Sequence, residues 1–293
     1  MTPEGHTSTI HINPTGDLDH KGSSGSVLKS LISAAERKSD VVVDLSEVDF
    51  VTPYGYTSLV AIISGLEDLH GRIQVYPPTG NGCLSYLRVC RFLRAVSHFA
   101  NVDDDPRKWR TSGSTTVLPV TYLKEGGQVG EVREKVNDRM EEIFQSGPKG
   151  SPAVIKAVCS TVGEICENIF RHANTEEGWV AAQRYPQGDY VELSVCDTGR
   201  GVKDSLLETH PNLAEIPDGQ VLARAIRKGL SRKPNGGNGF HVLEHATRKH
   251  DGQFFLRSGT GAAYRNYRSK KIIHKSGLFY QPGTHMMARL SIG

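Results

Sequence analysis

The run from Ala153 to Gly201 constrains this chain more than any other part of it. Between Ala153 and Ala173 the apolar residues Val158, Val162, Ile165 and Ile169 recur at helical spacing, so one stripe of an amphipathic helix faces a core. Glu164, Asn168 and His172 stand four residues apart and form an adjacent polar stripe on the same helix. A carboxylate and an amide one turn apart can act on one ligand. Tyr190 to Asp197 (YVELSVCD) then alternates Val191, Leu193 and Val195 with Glu192, Ser194 and Cys196, the period of a strand with one buried face. Asp197 ends that strand, immediately before a turn built on Gly199 and Gly201. A carboxylate there can accept a hydrogen bond from an exocyclic amine. The plainer readings are a solvated helix face, which suits the i, i+4 pair Glu167 and Arg171, and ordinary turn chemistry for Asp-Thr-Gly-Arg-Gly.

Downstream, Arg200 to Asn235 is polar and rich in Gly and Pro, and it runs into GLSRKPNGGNGF. A helix is predicted from about Phe240, with Val242, Leu243 and Ala246 on one face. Glycines feeding a helix N-terminus leave N–H groups free for a phosphate. A final strand is predicted from His285 to Ile292, preceded by Gly283-Thr284. In this order, EICENIFRHA, DTGRG and the glycine cluster resemble the N, G1 and G2 boxes of the GHKL superfamily, the ATP-binding fold shared by gyrase, histidine kinases and MutL. Anti-sigma-factor serine kinases are the members it looks most like.

That resemblance implies a Bergerat-type α/β sandwich that binds ATP with Mg²⁺. It gives Glu164 the catalytic role of orienting or deprotonating the attacking nucleophile, and Asn168 the completion of the Mg²⁺ shell. It gives Asp197 the adenine amine, with Gly199 and Gly201 letting backbone approach the base. Gly237 and Gly239 face the phosphates, and Thr284 lines the adenine pocket. His172 is a nucleotide contact by the same resemblance, or a capping or packing residue on its own chemistry. The stretch 200–235 reads as an ATP lid, whose Arg227, Lys228, Arg232 and Lys233 assist the phosphates or are simply solvated. Its end departs from the family pattern, with Gly237-Asn238-Gly239-Phe240 standing where Gly-x-Gly-Leu is usual. Between Ser258 and Gly283 lies an insertion rich in Arg, Lys and Tyr (YRNYRSKKIIHK), a hairpin that is solvated or binds a partner or nucleic acid.

The first hundred or so residues read as a separate α/β unit. Asp40 to Leu45 is a buried-strand run, the segment after Gly55 is apolar at helical spacing, Arg72 to Tyr76 is a second strand, and Leu84 to Val96 returns to helix. Such alternation implies a mainly parallel sheet covered by helices. VVVDLSEVDFVTPYGYTSLV resembles the central signature of STAS domains, the fold of anti-sigma-factor antagonists. Where those carry Asp-Ser-Ser-Gly with a phosphorylatable serine, this chain has Thr52-Pro53-Tyr54-Gly55, so the acceptor is missing. Thr52, Tyr54 and Tyr56 are expected either at an exposed rim suited to a protein contact or packed against the following helix.

The polar stretch 101–114 suits a linker, which places a STAS-like α/β domain at 1–110 and a GHKL-type ATPase domain at 111–293. Within the second, Val117 to Leu123 is strand-like and Val129 to Gln145 helical. A length of 293 residues exceeds one typical core, and a net charge of +3 is too small to imply an obligatory nucleic-acid or membrane partner. The five cysteines form no CxxC pair and read as reduced structural thiols. No apolar run of the roughly 20 residues a membrane helix needs is present, and a cytoplasmic protein is expected. The expected function is a cytoplasmic regulatory ATPase or serine/threonine protein kinase of partner-switching type acting on a protein partner. Alternatively, ATP gates protein binding with little turnover. Association into a homodimer is compatible with either.

Overall fold

The computed structural model describes residues 9–12, 14, 16–20, 29–30, 33, 40–66, 72–109, 114, 116–124, 129–145, 159, 162–163, 175, 177–185, 187, 189–226 and 239–291. The chain divides into two compact units, Met1–Ser112 and Gly113–Gly293.

The first unit contains β1 (Thr9–Ile12), β2 (Gly16–Leu18), β3 (Asp40–Asp44), β4 (Val48–Val51), α1 (Pro53–Leu66), β5 (Ile73–Tyr76), α2 (Asn81–Val89), α3 (Phe92–Val96) and β6 (Asn101–Val102). In β3, Val41 and Val43 are buried and their neighbours half-buried, the signature of a strand with one face inward. Among the described residues the sheet runs β1-β3-β5-β6 with every neighbouring pair parallel, while β2 and β4 form a separate parallel pair. The parallel sheet expected from alternating strands and helices is therefore present.

The chain enters α1 through a closed junction. Thr52 caps the helix, its Oγ1 accepting the Gly55 N–H at 3.2 Å, and Pro53 occupies the first helical position, where its missing N–H costs nothing. The Thr52 N–H donates to the Leu18 carbonyl at 3.0 Å. A side chain at residue 55 would collide with that same carbonyl, so α1 sits against β2 only because Gly55 has none. The helix is buried almost all round. Tyr54, Tyr56 and Thr52 are all buried, and Tyr56 lies against Tyr86. Of the two placements open from the sequence, the structure has the packed one and not the exposed rim, because α1 is a core helix and its aromatic residues pack inward.

A second departure concerns 84–96. Arg91 takes a left-handed φ of 58°, which ends α2 and starts α3 in a new direction, burying Phe92, Leu93 and Val96. One helix in the sequence is two in the structure.

The second unit contains β7 (Val117–Lys124), α4 (Val129–Gln145), β8 (Glu177–Tyr185), β9 (Tyr190–Asp197), α5 (Gly201–Leu207), α6 (Asp218–Ala225), α7 (Gly239–Lys249), β10 (Gln253–Gly259), β11 (Gly261–Asn266), β12 (Lys271–Lys275) and β13 (Gln281–Ser291). Among the described residues its sheet has the order β12-β11-β10-β13-β9-β8-β7, antiparallel throughout. Val136 and Met140 of α4, Leu206 of α5, Leu222 of α6 and Leu243 of α7 join Val180, Leu193, Leu256 and Met286 of the sheet in one core, together with Cys159 and Val162. Of the helix expected at 153–173, only residues 159, 162 and 163 are described, and all three are helical.

The stretch expected to be a lid is largely core. Val202, Leu206, Leu213, Val221, Leu222 and Ile226 are buried, because α5, a 3-10 turn at Pro211–Leu213 and α6 carry apolar residues at helical spacing within a polar-looking segment. Asp218, at the start of α6, accepts from the Thr260 N–H and hydroxyl, both at 2.8 Å, and faces the Lys203 ammonium at 3.2 Å. The lid reading is confined to 227–238, outside the described residues.

Candidate nucleotide site

β9 lies between β8 and β13 and is buried along nearly its whole length, so its last residue, Asp197, is carried to the sheet's end without reaching solvent. Two backbone donors meet its Oδ1: the Gly199 N–H at 2.9 Å and the Thr284 N–H at 3.2 Å. Burial pushes its pKa up to about 6, against the pull of those two N–H groups and the Thr284 hydroxyl. A carboxyl held this far from water and still anchored on one oxygen is suited to a ligand's N–H donor.

The turns around it depend on glycine. Gly283 has φ 73°, and a Cβ there would overlap the Asp197 carbonyl; Gly201 has φ 83°, and a Cβ there would come 2.5 Å from Ser258 Oγ. Ser258 ties the two turns together. Its hydroxyl accepts the Val202 N–H at 3.0 Å and donates to the Gly283 carbonyl at 2.7 Å. His285 holds the neighbouring turn, its Nε2–H donating to the Pro282 carbonyl at 3.2 Å. Its ring is fully buried, which drives its pKa down to about 3 and keeps it neutral. Thr175, just before β8, completes the rim, with its hydroxyl 3.5 Å from that of Thr198 and accepting the Glu177 N–H.

The structure thus brings together Asp197, Gly199, Gly201 and Thr284, four residues singled out from two separate stretches of sequence. Gly239 is the first residue of α7. Glu164, Asn168, His172 and Gly237 lie outside the described residues, as do Arg227, Lys228, Arg232 and Lys233. Among the described residues no cluster of His, Cys, Asp or Glu could hold a metal ion. Ser258, His285 and Thr175 were not singled out in the sequence. Ser258 is the last residue but one of β10, and no local pattern marks a serine whose partners are 56 and 25 residues away.

An antiparallel sheet backed by helices carries, at one end, a desolvated aspartate anchored on one oxygen beside glycine turns, an arrangement chemically able to accept an amino group's hydrogen bond. Residues 153–272 match the family described as histidine kinase-, DNA gyrase B-, and HSP90-like ATPase, and this stretch is a GHKL-type ATPase domain. No curated protein matches the chain. No described helix is long and apolar enough to cross a membrane.

Proposed function

We propose that the chain is an ATP-binding regulatory protein, a Mg²⁺-dependent ATPase or serine/threonine protein kinase of the partner-switching type. In this reading its N-terminal unit is a STAS-like domain that contacts the protein partner. One observation carries the nucleotide reading: Asp197, in a stretch matching the ATPase family, is buried and held on one oxygen by Gly199 and Thr284. Asp197 accepts the adenine amine, Gly199 and Gly201 let backbone lie against the base, and Thr284 fixes the carboxyl and lines the pocket. When bound, ATP would supply the phosphoryl group, and Mg²⁺ would offset the charge of its phosphates. The amide of Asn168 would be an oxygen donor for that ion, a hard cation that takes few protein ligands beside phosphate. Glu164 takes the proton from the attacking hydroxyl or water. The N-terminal unit contributes no phosphoacceptor at its helix start, because Pro53 has no hydroxyl and that of Thr52 is buried and caps α1.

Calorimetric titration of the full chain with ATP and Mg²⁺ tests this. In Asp197→Asn the amide oxygen must take the place of Oδ1, since two N–H groups require an acceptor there. An NH₂ then confronts the adenine amine. The expected loss is about 1–3 kcal/mol, or roughly five- to 150-fold in affinity. Equal binding by wild type and variant rejects the adenine assignment. Glu164→Ala should keep ATP affinity within a few-fold and abolish turnover, because the carboxylate acts on the nucleophile rather than on ground-state ATP. Wild-type protein that turns over no ATP in the presence of its partner defeats the enzymatic part of the proposal.

A further inference from the structure

We infer that β12 is a docking edge for an extended acidic segment of a partner protein, which adds as a strand beside Lys271–Lys275. The two edges of the seven-stranded sheet are built differently. β7 is guarded by Pro119 and by a register break between Leu118 and Thr121, features that block further pairing. β12 has no proline and no register break, and pairs with β11 in regular antiparallel register from Lys271 to Lys275. Among the described residues it is the last strand of the sheet.

Ile272 is 59% exposed on this edge, flanked by exposed Lys271, His274 and Lys275. The guards of this edge are its lysines, which repel a like-charged strand but admit an acidic one beside the exposed Ile272. The charge on the hairpin selects the partner. Arg268, Lys270, Lys271 and Lys275 are all exposed, and no Asp or Glu occurs after Asp251. A second copy is a poor occupant, because antiparallel self-pairing about Ile273 sets Lys271 against Lys275. An acidic strand places carboxylates against those lysines and an apolar residue against Ile272, while its backbone satisfies the edge. The hairpin is also fixed to its own unit: Ser276 Oγ, just beyond β12, accepts the Gly219 N–H of α6 at 2.9 Å, so the edge is presented on a firm support.

The test uses the full-length protein and a fluorescein-labelled peptide of alternating Glu and Val, with the alternating Lys and Val peptide and a single-stranded oligothymidylate as comparison probes. Fluorescence anisotropy should show the acidic peptide binding and the basic one failing to bind. Lys271→Glu/Lys275→Glu should weaken the acidic peptide roughly tenfold or more, and Ile272→Thr should weaken it several-fold while keeping strand propensity. Amide exchange at 271–275 should slow when the acidic peptide is present. Both variants should keep wild-type circular dichroism and ATP affinity, which separates this surface from the nucleotide site. Equal binding of the two peptides, or binding without slowed exchange at 271–275, overturns the proposal. Oligothymidylate bound in preference to the acidic peptide also overturns it, in favour of a nucleic-acid surface.

Discussion

The two units each contain a strand that stops at a polar residue and turns into a helix, and the two junctions are closed in opposite ways. At Val51-Thr52-Pro53 the hydroxyl caps its own helix, the N–H meets the Leu18 carbonyl, and the tyrosines that follow are buried. That polar group is consumed by structure. At Asp197 to Gly201 the anchoring donors come from the turn itself and from Thr284, far away in sequence, and they fall on one oxygen of a group that burial already makes reluctant to ionise. A desolvated carboxylate is expensive unless something else uses it. Of the two junctions, the one that leaves its polar group costly is the one suited to a ligand.

The largest expected effect comes from filling the space that each junction leaves at its glycine. Gly283→Ala puts a side chain at φ 73° and against the Asp197 carbonyl. The left-handed conformation alone costs about 1–2 kcal/mol, and the overlap adds to it. ATP binding should be lost, and hydrogen exchange should quicken in β9 and β13. Gly55→Ala meets the Leu18 carbonyl instead and should quicken exchange in β2 and α1, with ATP affinity unchanged. If Gly283→Ala binds ATP as wild type does, the Gly283-Thr284 turn does not shape the site.

Ser258→Ala sharpens the comparison by removing a support that the first junction does not need. It leaves the buried Val202 N–H and Gly283 carbonyl without the hydroxyl they share, at a cost of about 1–3 kcal/mol. Lower thermal stability should be accompanied by weaker ATP binding, because both turns beside Asp197 lose their common tie. A stability loss with unchanged affinity would make Ser258 purely structural. Thr52→Ala is the matched change in the other unit. Loss of the cap should cost about 1 kcal/mol, read as faster exchange in α1, with Thr52→Ser restoring it and ATP affinity constant throughout.

Much of this contrast is legible in the sequence, and the illegible parts share a cause. The strands at 40–44, 73–76 and 190–197 show in their apolar patterns. Asp197, Gly199 and Gly201 stand out by type and placement, and Thr284 only through the family resemblance. The burial of Tyr54 and Tyr56 does not show, because a helix enclosed on all sides lacks the polar face that would orient it. Nor does the break at Arg91, a left-handed residue with no glycine to signal it. The helices α5 and α6 are hidden by a polar, glycine-rich composition that masks a few well-spaced apolar residues. Ser258 is invisible for the simplest reason: its role exists only after three distant segments meet.

The smallest net effect in the wild type, and the finest probe of the second junction, is the dependence of stability on pH. Asp197 has a folded pKa of about 6, above the ordinary carboxyl value, so its contribution is fully present below about pH 4 and is lost as pH rises through 6. His285, folded near 3, runs the other way: its contribution is present above about pH 6.5 and is lost as pH falls towards 3. Between about pH 4 and 6 the two oppose each other, and neither shows in the wild-type curve alone. His285→Asn keeps a donor for the Pro282 carbonyl and removes the imidazole titration. Melting temperatures of wild type and variant should therefore converge as pH falls from 6.5 towards 4, since only the wild type loses the histidine term. Adding Asp197→Asn to the His285→Asn background should remove the remaining gain on acidification. Parallel curves for all three proteins would mean that neither group is desolvated in solution, and the contrast between the two junctions would lose its electrostatic basis.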